Sequence, residues 1–453
     1  MVVDQGVRVI PLKEAVSKLV DGSHNPPPKC EVGKPMLSAR NIENGRIVFD
    51  SYRFIDEAAF AQEHARSRVA ANDVLLTIVG TIGRTAVVPE GLPPFALQRS
   101  VAVLTPRENL LPKYLCYQLQ APAAQRYFEE NARGTAQKGV YLKTLGATPI
   151  QLPSLDEQRE VVDEIEKQFS RLDEAVANLQ RVKANLKRYK ASVLKAAVEG
   201  RLVETEASIA HREGRSFETG EQLLQRFLDE RRAKGVGIGK YKEPAPLDTQ
   251  NLKNLPDGWT WATVEMVCDA IVDCPHSTAK FQTHGYPCVD TTWMTTEGLA
   301  QERARFVDEA TYNDRISRLA PKTGDIVFAR EGTIGTAVLI PDRMAPCLGQ
   351  RVMLLRTSSD YLNGLLVHVL HSEIVKVQYR SQALGSTVAH INVGDVKRFA
   401  VPVPPASEQA RIVAEVDRHL SIIREVEAEV DINLKRALAL RQATLIKAFS
   451  SNY

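Results

Sequence analysis

Nowhere in the 453 residues is there an uncharged apolar run of about 18 residues, the length that a membrane-spanning helix needs. The first thirty residues also lack a basic stretch followed by an apolar one, so neither a membrane nor a secreted protein is expected, and the chain is expected in the cytoplasm. Cysteine is scarce: six residues, far apart and without a CxxC pair, fit reduced thiols and not a disulfide framework. An excess of one charge sign is lacking too. A net charge of +3 is weaker than that of many small nucleic-acid-binding proteins, so any such surface must come from local arrangement. With 44% hydrophobic and 25% charged residues the chain is neither disordered nor fibrous. Its length suits two domains of roughly 150 residues plus connecting elements.

Catalytic constellations are likewise missing. No paired-carboxylate, Ser-His-Asp or Cys-His arrangement recurs in both halves of the sequence. Asn25-Pro26-Pro27-Pro28 has the outline of the Asn-Pro-Pro-aromatic loop that holds a flipped adenine, but a proline stands where the aromatic ring must stack, and the reading is a loop turn. Gly235 to Lys240 looks like a phosphate-cradling loop, yet Tyr241 follows where Ser or Thr is required and no apolar strand leads in; it reads as linker. Cys274, His276, His284 and Cys288 have ligand-like spacing for zinc, but the other half has no cysteines at the matching positions, so no metal is expected.

What is present is a sequence written twice, with short segments recurring at an offset of 251 to 253 residues. RFIDEA (53–58) returns as RFVDEA (305–310), GTIG (80–83) as GTIG (332–335), Gln98-Arg99 as Gln350-Arg351, and Glu157-Gln158 as Glu408-Gln409. The first ~150 residues of each copy read as short β-rich runs punctuated by Gly, Pro, Asn and Asp. The remaining part reads as one long helix. Apolar residues from Ile165 through Phe169, Leu172, Val176 and Leu179 to Val193 are spaced by threes and fours, without proline or glycine until Gly200. That predicts a helix of about 65 Å. Val413 to Leu438 repeats the pattern, and Asp156 or Ser407 is available as N-cap.

Charge bears on how these helices pair. Residues 156–174 hold eight acids and three bases, whereas 181–195 hold six bases and no acid; 408–431 hold seven acids and three bases, and 434–449 four bases and no acid. Antiparallel pairing sets acid against base and is the preferred reading, although part of the bias also suits the helix dipole; two separately packed helices are the alternative. An antiparallel pair relates the two similar domains by a pseudo-twofold axis. The expected fold is α+β, with a first β-rich domain at 1–153, a long helix at 154–200, a linker at 201–250 containing a short amphipathic helix around Glu221 to Arg231, a second domain at 251–405 and a C-terminal helix at 406–453.

Within the domains, the GTIG segments read as tight turns that need glycine at positive φ, or as turns whose backbone approaches a DNA phosphate with Arg84 or Arg330 beside it. Gln98-Arg99 and Gln350-Arg351 are suited to adenine and guanine edges, or are surface residues at strand ends. On physical grounds the candidate DNA contacts are Lys29, Lys34, Arg40, Asn41, Arg84, Arg99 and Lys138 in the first half. In the second they are Lys280, Thr291, Arg330, Arg351 and Asn392. All are polar or basic and lie in loops flanking strands.

The proline-led start of each long helix (LPSLDEQREVV, 152–162; VPPASEQARIV, ending at Val413), the exit KAAVEGRLV (195–203), the opening LPDGWTWATVEMV (255–267) and the GTIG elements together resemble the specificity subunits of Type I restriction-modification systems. The resemblance spans essentially the whole chain. It implies two target-recognition domains, each reading one part of a bipartite site in double-stranded DNA, with helices that separate the parts and dock two modification (methyltransferase) subunits. It also implies a non-catalytic chain without its own cofactor: S-adenosylmethionine, and ATP with Mg, belong to the modification and restriction/translocase partners. The first half lacks the opening Gly-Trp found at Gly258-Trp259, and Cys274-Pro275 replaces the family's Gly-Thr in the turn ending at His276. The alternatives are a stand-alone DNA methyltransferase or nuclease, which needs a cofactor fold not visible here, and a coiled-coil scaffold, which two elaborate β-rich domains disfavour.

Overall fold

The computed structural model describes residues 7–134, 137–235, 242–248, 252–275, 277–383 and 390–450. The chain forms two compact units, Met1–Arg181 with Val430–Tyr453, and Val182–Glu429. Each contains parts of both long helices.

The first unit is built on a four-stranded antiparallel sheet in the order Val16–Asp21, Val101–Pro106, Val74–Thr77, Thr85–Val87. Its two central strands, Val101–Pro106 and Val74–Thr77, are near-continuous apolar runs because both faces are covered. Leu76, Ala102 and Leu104 point toward Leu115, Leu119, Phe128 and the long helices, while Leu75, Val101 and Val103 pack with Leu37, Ile42 and Leu97 on the other face. The second unit repeats the sheet with Cys268–Asp273, Val352–Thr357, Ile326–Ala329 and Ala337–Leu339 in the same order. In each unit a three-stranded sheet with one parallel pair lies beside it, Arg53–Ile55, Lys34–Leu37 and Ala96–Leu97 in the first, Phe306–Val307, Tyr286–Val289 and Cys347–Leu348 in the second. The internal repeat is thus a repeat of topology.

The long helices run Leu155–Val198 and Ala406–Ser450. The first is capped two residues earlier than expected: Ser154, not Asp156, exchanges hydrogen bonds with Glu157, its N–H and hydroxyl both donating to the carboxylate (2.8 and 2.7 Å). Ser407 lies inside the second helix, whose first turn is closed by Pro405 accepting from the Glu408 N–H. Within each unit the two helices pair antiparallel. In the first, Arg441 ion-pairs with Asp173 (2.8 Å) and covers the Phe169 ring, while further along Phe449 accepts from Gln151 near the start of the other helix. In the second, Tyr189 bonds His419 (2.9 Å), and Glu408 meets Glu206, beyond the exit of the central helix.

The stretch at 201–250, expected as a linker, contains two helices, Glu206–Glu213 and Gly220–Lys234, both in the second unit. The longer one contributes Leu223 and Phe227 to the core that holds Val193, Leu194 and Trp259, and its Arg226 pairs with Glu218 and Asp360. The sequence predicts a helix around Glu221 to Arg231 inside the linker but not its place in the core, because only one narrow stripe is apolar. The phosphate-loop look-alike begins at Gly235, the left-handed C-cap of this helix; residues 236–241 lie outside the described residues.

The helix-start motif has a structural meaning in both copies. Gln158 accepts from the Leu111 N–H (2.8 Å) and donates to Asn109 and Pro153 carbonyls, and Gln409 accepts from Leu362 N–H (2.8 Å) and donates to Pro404. The neighbouring glutamates differ. Glu408 is fully buried, accepting from the Trp259 indole (3.0 Å) and the Glu206 N–H (2.8 Å), and burial pushes its carboxyl up. Trp259→Phe removes the indole donor and leaves a buried carboxylate oxygen unmatched, so urea unfolding of the second unit is expected to lose about 1–3 kcal/mol of stability; an unchanged midpoint would refute this.

A second expectation concerns acid. His371 accepts a hydrogen bond at Nε2 from the Ala337 N–H (3.0 Å). Burial pushes its pKa down to about 3, and positive charge on His368, Lys376 and Lys190 acts the same way. An unfolded histidine titrates near 6.5, so this contribution to stability is complete above about pH 6.5 and is lost as pH falls toward 3. The His371→Gln variant is expected to show a flatter loss of stability between those limits, measured by urea titrations at stepped pH, and equal slopes would exclude His371 as the source.

Candidate nucleic-acid interface

In the antiparallel sheet of the first unit, Asp21 and Thr77 end their strands where Thr85 and Val101 begin theirs. Five loops therefore emerge at one end. They are sewn together by backbone hydrogen bonds: Ser23 N–H to Leu97, Arg99 N–H to Ser23, Ile78 N–H to Ser100, Val140 N–H to Ile78, and Gly80 N–H to Lys138. The Ser100 hydroxyl receives the Ala39 N–H (3.0 Å), which brings in the loop carrying Arg40. A short hairpin, Ile42–Glu43 with Arg46–Ile47, turns through Asn44 and Gly45 at positive φ and lies over the Thr85–Val87 strand.

Arg40, Arg84, Arg99 and Lys138 share this end, and all four are exposed. The GTIG turn holds Gly80 and Gly83 at φ of 81° and 92°, which supports the tight-turn reading. Thr77 clasps the turn by donating to the Thr81 carbonyl and accepting from Arg84 N–H (2.9 Å), which aims the Arg84 side chain outward beside Ile42.

Asn41 does not share this freedom. It is 2% exposed, its Oδ1 accepts from Ser38 and its Nδ2 donates to Val48 (3.0 Å) and Ser51 (2.9 Å) carbonyls, so it ties the loop and has nothing left for a base. Lys29 and Lys34 sit on the neighbouring three-stranded sheet and its flank, Lys34 near Glu57 (3.7 Å) and the Phe60 ring. They are not part of the sewn loops.

The second unit builds the same end from Asp273, Ala329, Ala337 and Val352. Arg330 N–H bonds the Arg351 carbonyl, and Ile391 N–H bonds the Arg330 carbonyl. Here too one candidate is withdrawn: Arg330 is 7% exposed, paired with Asp273 (2.6 Å) and donating to Ile391 (3.0 Å). It locks loops together beneath the turn. Arg351 is exposed, adopts φ 66° and lies 3.3 Å from Glu331. Thr291 abuts Gly332 of the second GTIG turn, and exposed Asn392 precedes a short helix, bonded to Asp395 (3.2 Å). Lys280 lies on the flank of the three-stranded sheet, one residue from the position Lys29 has in the first unit.

The sequence reading missed two residues of the first face. Arg133 is exposed beside Gly139, with which it exchanges both backbone hydrogen bonds. Tyr141, 62% exposed, follows the same loop as a large ring flanked by basic residues. An aromatic among Arg133, Lys138 and Lys143 was the available signal.

The four spaced zinc candidates do not converge. Cys274 is buried with Trp293 and Val289, whereas Cys288 faces Cys347 in a different cluster, where their mutual hydrogen bond and burial hold the Cys288 thiol above its usual range. His284 bonds Thr283 at the surface, and His276 lies outside the described residues. Among the described residues no group of three His, Cys, Asp or Glu side chains is placed to hold a metal, and no helix is long and apolar enough to cross a membrane. The Asn25 to Pro28 segment is an irregular loop, held by Arg53 donating to the Pro27 carbonyl (2.6 Å).

A solved chain shares this fold, and other known proteins are similar to the sequence. A chain solved in work on complex assembly and conformational transition of the type I R-M system superposes with a TM-score of 0.64 at 20% identity, covering 99% of both chains. The HsdS subunit from Thermoanaerobacter tengcongensis aligns over 99% of this chain and 98% of its own at 21% identity, with a TM-score of 0.45. The Type I restriction enzyme EcoBI specificity subunit of Escherichia coli is 32% identical over 139 residues, which is 30% of this chain and 29% of that protein. The match therefore spans less than a third of the curated relative's length. The family described as Type I restriction modification DNA specificity domain matches twice, at residues 30–188 and 290–435, each match taking in one sheet-end face and most of the long helix that follows it. By that double match over more than half its length, the chain belongs to the family of Type I restriction-modification DNA specificity domains.

Proposed function

We propose that the chain is the DNA-reading, non-catalytic subunit of a Type I restriction-modification complex. Each sheet-end face reads one part of a bipartite site in double-stranded DNA, and the long helices dock two methyltransferase subunits. S-adenosylmethionine belongs to those subunits, ATP with Mg to the restriction and translocase subunits, and the assembly works in the cytoplasm. The observation that carries this reading is the duplicated face: two topologically matching sheet ends, each with its own GTIG turn and Gln-Arg pair.

The faces suit DNA because they present side chains from loops that rigid strands hold in place. On the first, basic side chains can meet phosphates while the Gln98-Arg99 pair offers donors and acceptors to base edges. Withdrawal of Asn41 and Arg330 from direct contact leaves them as positioning residues, which keep the loops in register without touching a base.

Co-expression with and without a modification subunit, followed by mapping of methylation across a plasmid library, tests the proposal. Methylation is expected only with the partner and at a site of two defined parts with a fixed gap. Methylation by this chain alone overturns it. Exchange of residues 1–150 for the corresponding region of another family member is expected to change one part of the site and leave the other; a change in both parts contradicts independent reading.

A further inference from the structure

The two faces have the same frame and different charge. Taken at the repeat offset, Arg40 of the first corresponds to Thr292 of the second, Arg84 to Thr336, Lys138 to Ala389, Tyr141 to Asn392, and Arg99 to Arg351. Among the described residues Arg40, Arg84, Arg99, Arg133 and Lys138 stand free of carboxylate partners. On the second face the two candidate arginines are matched by acids: Arg330 is buried against Asp273 and Arg351 lies beside Glu331. Ile78 and Val79 occupy the places of Arg330 and Glu331 in the first unit, so neither pair has a counterpart there.

Resting on the DNA reading above, we infer that the two faces bind duplex DNA unequally: the first supplies the phosphate-neutralising charge, and the second selects sequence through uncharged side chains, with Arg351 held by Glu331. A phosphate brought to Arg351 is also brought to the Glu331 carboxylate. Attraction and repulsion then largely cancel, and few counterions leave the DNA. On the first face each base meets phosphate without an opposing acid, and each such contact steepens the dependence of log K on log salt by about 0.9. Neutral groups such as Thr291, Thr292 and Asn392 remain at the second face, where Thr292 and Asn392 are exposed and hydrogen bonding to base edges does not depend on salt in this way.

The test measures duplex binding by fluorescence anisotropy over a salt series, using the full chain assembled with its modification subunits and DNA bearing the mapped site. The triple variant Arg84→Gln, Arg99→Gln, Lys138→Gln is expected to reduce the slope by about 2 to 3. The double variant Arg351→Gln, Glu331→Gln, which removes the pair together, is expected to leave the slope unchanged. Glu331→Gln, which releases Arg351, is expected to increase the slope by about 1. All these side chains lie at the surface or partly so, and thermal melting of the single Arg84→Gln and Glu331→Gln variants checks that folding is retained. Equal slope losses from Arg99→Gln and from the double variant overturn the division of labour while leaving DNA recognition intact. Failure of the unmutated assembly to bind the mapped duplex overturns the DNA reading itself.

Discussion

A buried glutamine at the start of each long helix, Gln158 in one repeat and Gln409 in the other, decides how the helix leaves the domain before it. Its carboxamide has one acceptor and one donor group, and both are spent on backbone: an N–H of the loop preceding a domain helix on one side, the carbonyl of a proline two residues before the long helix on the other. Glutamate cannot donate in this way, and alanine leaves a buried N–H without a partner. The direction of each helix against its sheet follows from that clasp, and with it the face that the helix leaves open at the far end of the sheet.

That open end derives its rigidity from the strands behind it. Strands buried on both sides cannot shift register without moving an entire apolar set, so the loops between them begin and end at fixed points. Backbone bonds between neighbouring loops then remove most of the remaining freedom. The polar side chains divide accordingly. Asn41 and Arg330 are consumed in holding loops, and Arg84, Arg99 and Lys138 project from loops so held.

Duplication gave the two units one frame and left their surfaces free to diverge. The divergence shows in charge: Arg40, Arg84 and Lys138 of the first face are matched by threonine and alanine in the second, and acid–base pairs without counterpart in the first appear beside its turn. It extends to the helix starts. Glu408 is enclosed by Trp259 and the helix Glu206–Glu213, whereas Glu157 caps its own helix through Ser154 at the surface. The same motif letter thus does two jobs.

Repetition, helix length and helix polarity were determined by the sequence alone, because they depend on spacing and charge along the chain, and Arg441 pairing with Asp173 is the kind of acid–base contact that polarity requires. The amphipathic segment near Glu221 was legible as a helix but not as part of a core, since its burial depends on Leu223 and Phe227 meeting Trp259 and Val193 from elsewhere in the chain. Which basic and amide side chains are available to a ligand could not be read along the chain either. Asn41 and Arg84 both follow turn-forming residues, yet only the tertiary structure turns one inward to three backbone partners and the other out to solvent. Arg330 looked like Arg84 beside its own GTIG turn, but it sits before the turn, where the carboxylate of Asp273, fifty-seven residues away, meets it only after the sheet has formed. Sequence spacing supplies the candidates; long-range contacts decide which of them are spent on the fold and which remain for function.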